Sequence, residues 1–315
     1  LALAQAAPQD EGGPNHGRGL LNFYDSQILA NRHLNVPLHT PHFLAEDQIQ
    51  MGLYLDWANT FARRDSEGYF LDGEVLHFHP RVRFGIDADL EFGLELPIFY
   101  RGGGILDPLI EGFHDAFGLG DNHDGFPPNR YRASLTVGGE TITPDAGFGL
   151  GDLAVWTKVR LWDPRGAWAA GAFAATLKLP TGTADFDSDG LDIALTLAFS
   201  KSFTDWFHAY VGGGFIYYTD TETQGLRYHS GNWMSFAGVE FDLWSDLSLV
   251  LQTTIQSPMM TEPRAFDEER FSVAVGVQWA PWEDDRTFEF GVVENLVTYQ
   301  PTADFQFHIG FRQTF

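Results

Sequence analysis

Phe305–Phe315 reads FQFHIGFRQTF. Phe305, Phe307, Ile309, Phe311 and Phe315 fall on one side of an extended chain. Gln306, His308, Gly310, Arg312 and Thr314 fall on the other. Side chains alternate between the faces of a strand, so this strand separates an apolar medium from a polar one. The alternation recurs upstream. Phe271, Val273, Val275, Val277 and Trp279 oppose Arg270, Ser272, Ala274, Gly276 and Gln278. Leu191, Ile193, Leu195, Leu197 and Phe199 oppose Asp192, Ala194, Thr196, Ala198 and Ser200. Leu90, Phe92, Leu94, Leu96 and Ile98 oppose Glu91, Gly93 and Glu95.

Extended along the chain, the pattern predicts about twelve strands of the roughly ten-residue length that a tilted membrane strand needs. They lie near 47–61, 69–86, 89–100, 147–162, 166–179, 190–201, 205–219, 232–244, 247–257, 267–280, 286–297 and 304–315. Their connections alternate in length. Asp87-Ala88-Asp89, Asp163-Pro164-Arg165, Ser202-Phe203-Thr204 and Ser245-Asp246 are short, and so, nearly, is Trp282-Glu283-Asp284-Asp285. Longer connections span 62–68, 101–146, 180–189, 220–231, 258–266 and 298–303. Short turns at one end and long loops at the other describe an all-β fold: a transmembrane, antiparallel, up-and-down β-barrel of the bacterial outer membrane. An even strand count places both termini on the periplasmic side. Trp162, Trp168, Trp206, Trp244, Trp279 and Trp282 all sit near predicted short turns, as an interfacial girdle requires.

Composition agrees once two faces are allowed for. The chain has 315 residues, 28 Phe, 34 Gly and no Cys. Its mean hydropathy of −0.17 looks soluble because apolar and polar positions average out. The 19 Lys plus Arg against 43 Asp plus Glu leave a formal net charge of −24, which argues against a nucleic-acid partner. Without Cys there is no disulfide scaffold, thiolate zinc site or thiol nucleophile.

Residues 1–6 end in Ala4-Gln5-Ala6, the small-residue pattern of a signal-peptide cleavage site. Residues 7–45 are expected to form a periplasmic or plug segment, and 46–315 the barrel. Within 101–146 one short helix is predicted in a long extracellular loop. Asp107 caps it, and Pro108 suits its first position. Asp107, Glu111, Phe113, His114 and Phe117 are the residues expected to gate the mouth, as lid or plug. Tyr131–Thr143 is expected to form a small extracellular hairpin. Asp185, Asp187 and Asp189 open like a calcium loop, but Thr196 stands where the bidentate Glu belongs, so a solvated acidic loop is the preferred reading. No metal and no other cofactor is expected.

With the apolar faces toward lipid, the lumen is expected to receive His77, His79, Arg81 and Arg83, then Glu91 and Glu95, then Lys158 and Arg160. Glu289, Glu294, His308 and Arg312 follow from the last strands. Opposite charges on neighbouring strands can pair across the wall. No Ser and His pair falls on the lipid face, so an enzyme is not expected.

Gly104–Phe117 resembles the signature of a domain-of-unknown-function family of bacterial outer-membrane barrels. Gly149–Leu153, Lys178–Gly182 and Phe288–Asn295 also resemble it. Several of these motifs are shared with barrels assigned to the meta-pathway of phenol degradation. The resemblance covers roughly 45 to 315. It implies a carrier of small, often aromatic, molecules and transfers no catalytic residues. The terminal Phe315 resembles the signal read by the barrel-insertion machinery, although Gln313 departs from the alternation. Outer-membrane lipid and lipopolysaccharide are the other expected partners. The expected function is a narrow channel for a small solute, gated by the 101–146 loop. The alternative is a non-conducting barrel that anchors an envelope protein assembly.

Overall fold

The computed structural model describes residues 17–117, 127–163, 168–262, 264–282, 285–295 and 302–315, with the side chains of 113–117 and Ala265 excepted. The expected signal remnant, 1–6, lies outside the described residues. The main sheet closes on itself. Its strands are β1 (Ile49–Arg64), β2 (Tyr69–Phe78 continued by Arg81–Asp87), β3 (Leu90–Glu95 and Ile98–Gly102) and β4 (Gly147–Leu150 and Leu153–Trp162). Then come β5 (Ala170–Leu179), β6 (Asp192–Thr204), β7 (Phe207–Tyr218) and β8 (Gly231–Trp244). β9 (Leu247–Gln256), β10 (Arg270–Trp279), β11 (Arg286–Glu294) and β12 (Phe305–Thr314) complete it. Each strand pairs antiparallel with its sequence neighbour, and β1 pairs with β12 from Gln50↔Thr314 to Asn59↔Phe305. The result is a closed twelve-stranded barrel with no free edge.

The strands expected at 69–86, 89–100 and 147–162 are each broken, at His79-Pro80, Leu96-Pro97 and Gly151-Asp152. Proline has no N–H to give the ladder. The breaks lie side by side: Leu96 N donates to Pro80 O (3.2 Å), and Gly151 N donates to Pro97 O (2.8 Å). A hairpin, Arg132–Val137 with Glu140–Ile142, extends the wall beside β2 through Tyr69↔Leu135. Its Gly138-Gly139 turn takes positive φ at both positions, which glycine alone adopts freely.

Burial alternates along most of the strands. On β1, Gly52, Tyr54, Asp56, Ala58 and Thr60 face inward, while Met51 and Leu53 are exposed outside. Leu195, Phe215, Ile309 and Phe290 are likewise exposed apolar residues on the outer face. At the short-turn end the aromatic side chains touch one another: Trp206–Phe207 (6.0 Å), Trp279–Trp282 (6.3 Å) and Phe288–Phe311 (5.0 Å). A lipid-covered wall with an interfacial girdle has this form. Among the described residues no helix is long and apolar enough to cross a membrane.

Candidate functional site

The lumen holds a piece of the chain itself. Residues 17–45 enter at the short-turn end, where Arg18 Nη2 donates to Ser245 O (2.6 Å). They climb past Gly238, Gly276 and Gly291, on which Leu20 and Leu21 pack. They turn near Ile28–His33, close to Met259, Met260 and Phe266 of the long-loop end. They then descend past Trp156 and Lys158 to Ala45 and Asp47 beside Gly85. Leu20, Leu21, Phe23, Leu34, Val36 and Leu38 are buried in one cluster with inward residues of the wall.

This segment makes no strand pairing. Its backbone donors are taken up by inward side chains of the wall. Glu240 accepts from Arg18 N (2.8 Å) and Gly19 N (3.0 Å), and Gln252 from Leu21 N (2.8 Å). Glu289 accepts from Asn22 N (3.0 Å), Asp56 from Tyr24 N (3.0 Å) and Gln306 from Ser26 N (3.2 Å). On the way down, Asp192 accepts from Leu34 N (2.8 Å) and Glu91 from Leu44 N (3.2 Å). Buried backbone groups must find partners, and here carboxylates and amides do what a sheet ladder does elsewhere.

A chain of ion pairs runs round the closure seam. Arg312 pairs with Glu289 (3.1 Å), Glu289 with His308 (3.2 Å), and His308 with Asp56 (2.8 Å). Asp56 in turn meets His79 (3.0 Å), and Glu95 holds Arg81 (2.7 Å). Asp56 and Glu289 are fully buried, so each oxygen needs its donors. Arg83 and Lys158 share Glu91, at 2.7 Å and 3.5 Å. His77 stacks on Tyr24 (5.5 Å) and lies tilted against Phe99 (4.3 Å), with Ser26 Oγ at 3.2 Å from its Nδ1. Arg160 stands at the short-turn rim with Asp89 (2.9 Å).

Glu294 does not join them. Its ladder partner is outward-facing Val273, and it lies on the outer face near Asp304, so the expectation of a lumenal Glu294 is corrected. It sits an odd number of residues from inward Glu289, which the period of two already forbids.

The helix α1 (Asp107–Phe117) begins on the outside of the wall. Asp107 accepts from outward-facing Asn59 (2.8 Å) and from Asn129 N (2.6 Å), while Leu106 N donates to outward-facing Glu74. Ile110 is buried there, and Glu111 is part-exposed. The side chains of Phe113, His114 and Phe117 lie outside the described residues. The described start of the loop therefore braces β1 and β2 and does not cross the mouth.

The acidic loop turns inward on Phe186, which stacks on Phe99 (5.8 Å) and lies under the Arg101 guanidinium (4.1 Å). Asp185 and Asp189 take positive φ. Burial, Asp189 and Asp152 push the Asp187 carboxyl up, while Lys178 pulls it down. Among the described residues no group of three His, Cys, Asp or Glu side chains is placed to hold a metal ion.

Between the two limbs of the lumenal segment a cavity of about 230 Å³ remains at the short-turn end. Arg18, Arg81, Arg83, Lys158 and Arg312 line it, with Trp156, His39 and Asp242. Sequence alternation does not single out Arg18 or His39, whereas Trp156 shares the inward face of β4 with Lys158, two residues on, and is expected there.

The match to a family is nearly chain-long. Residues 4–315 fit a family of proteins of unknown function, DUF3187. The chain belongs to the DUF3187 family. No curated protein matches it. Among solved structures this DUF3187 chain is similar to the COG4313 outer membrane channel from Pseudomonas putida F1. The TM-score is 0.59 at 11% identity, over 89% of this chain and 100% of that one. A looser likeness links it to the Ralstonia pickettii toluene transporter TbuX, with a TM-score of 0.40 at 10% identity over 86% and 90%. The first likeness supports the same fold, an outer-membrane β-barrel.

Proposed function

We propose that this protein is a narrow outer-membrane channel for a small solute, closed at rest by its own residues 17–45. The observation that carries this reading is the way the segment is held. It is fastened by side chains projecting from a complete barrel, so it can shift while the wall stays paired. A segment hydrogen-bonded as a strand could leave only by opening the sheet. The wall it would expose is polar and charged, as an aqueous path requires. The 101–146 loop supplies the rim beside β1 and β2, and the gate is assigned to the lumenal segment. Both termini then lie on the periplasmic side, with lipopolysaccharide around the long loops.

Liposome swelling with small sugars and amino acids tests this. Glu240→Gln with Glu289→Gln replaces one of two acceptor oxygens by a donor NH2 and removes the charge at two backbone clasps, so each loses part of its hold on the segment. The double variant is expected to swell liposomes several-fold faster than the parent. Absence of flux in both proteins sinks the channel reading. The filled lumen also favours a second reading, a barrel that anchors an envelope partner. A stoichiometric protein in mild detergent extracts supports it, and a lone barrel opposes it.

A further inference from the structure

We infer that the cavity between the limbs of the lumenal segment is a binding site for a small organic anion, a carboxylate on a flat apolar body, reached from the short-turn end. The inference gives the proposed channel its substrate class and in that sense rests on that reading.

Charge comes first. Five cations line the cavity, and among the described residues Asp242 is its one lining carboxylate. The acids that pair these cations stand behind them. Glu91 and Glu289 spend oxygens on Leu44 N and Asn22 N, and Glu95 is turned to Arg81. Asp242 is bonded to Ser248 Oγ (2.6 Å), with Arg18 Nη1 at 3.4 Å. An anion entering here meets cation heads, and a metal ion is repelled.

Two polar atoms on the same wall have no partner. The indole N–H of Trp156 and Nε2 of His39 are buried and unbonded, and their residues are only 2% and 7% exposed. Their rings meet edge to face at 4.7 Å. An indole N–H only donates, so its missing partner is an acceptor. An oxygen bound against it would relieve the loss of leaving it unpaired. The place for the indole is made by Gly93, where a Cβ would stand 2.1 Å from the Trp156 ring.

Part of the remaining wall is apolar, formed by Leu20, Leu38, Leu44, Phe43 and Tyr54, with polar Asn22, Thr40, Gln50 and Thr287 among them. A bare inorganic anion would leave it facing water. A neutral hydrocarbon would leave Trp156 and His39 unpaired. A carboxylate with a planar body satisfies both. The volume is several times the roughly 30 Å³ that one water occupies in the liquid.

Isothermal titration of the full chain in detergent micelles tests this with sodium benzoate, benzamide and inorganic phosphate as probes. Saturable benzoate binding is expected, with benzamide and phosphate at least about tenfold weaker, a difference of about 1.4 kcal/mol. Trp156→Phe and Lys158→Gln are each expected to weaken benzoate about tenfold. Arg312→Gln, at the part-exposed rim, serves if either variant fails to give the folded-barrel band on unheated gels. No saturable benzoate binding, equal affinity for benzamide or phosphate, or variants that bind like the parent overturn the inference. Binding is read on a closed barrel, so benzoate binding without flux refutes the channel alone, and flux without binding refutes this site alone.

Discussion

Asp56→Ala is expected to cost the folded barrel about 3–5 kcal/mol, the usual penalty for removing one partner of a buried ion cluster. The carboxylate is fully buried and accepts from three directions. Tyr24 N and His79 Nε2 meet one oxygen at 3.0 Å each, and His308 Nδ1 meets the other at 2.8 Å. Alanine leaves all three without a partner, where water does not reach, and each orphan costs about 1–3 kcal/mol. It also cuts the line of charges across the β1–β12 seam and frees the rising limb of the lumenal segment. Equilibrium urea unfolding in micelles, followed by Trp fluorescence, measures the loss. Asp65→Ala is the control, because the Arg63–Asp65 pair is exposed and screened by solvent. Equal, small losses in the two variants would contradict the account of the seam.

Replacing residues 20–44 by a short Gly/Ser linker is expected to change a mostly silent protein into one with continuous current in planar bilayers. The reason is the width of the barrel. Eight strands make a lumen that side chains about fill, whereas about sixteen leave a water channel. With twelve, the inward residues leave room, and Leu20, Leu21, Phe23, Leu34, Val36 and Leu38 take it up. The linker need not be long, since Gly19 and Ala45 both lie toward the short-turn end. Gel mobility before and after heating shows whether the wall has formed. A formed wall with no more current than the parent would mean that paired charges alone block the lumen.

The wall was legible because one face of each strand meets lipid, and FQFHIGFRQTF carries that contrast in its own alternation. Two of the three breaks were written in Pro80 and Pro97, but alternation on either side hides them. The lumenal segment was half legible. Residues 17–45 carry no period, because their backbone donors meet scattered wall residues or one another and not a repeating ladder. Nothing local in Asn22 or Tyr24 points to Glu289 or Asp56, hundreds or tens of positions away. The motifs shared with barrel families make sense only with partners in place. Asp152 accepts from Thr181 N and Gly182 N at 2.8 Å each and is paired with Lys178, so two motifs form one clasp. Lys178 also reaches Asp192 (3.5 Å), which holds Leu34 N of the lumenal segment. Asp107 was read correctly as a helix start, yet its docking on Asn59 outside the wall depends on tertiary contact that no helical period encodes.

The central claim, that residues 17–45 move to open the path, is tested most directly by a reversible lock. The chain has no Cys, so Leu21→Cys with Gly291→Cys adds one defined pair. A Cβ at Gly291 would stand 2.9 Å from the Leu21 side chain, and shortening Leu21 vacates that space. Single-channel current is recorded from the oxidised protein, then after a reducing agent is added on the short-turn side. The account predicts that oxidation abolishes openings and that reduction restores them. Openings of the same size and frequency with the bond intact would contradict it.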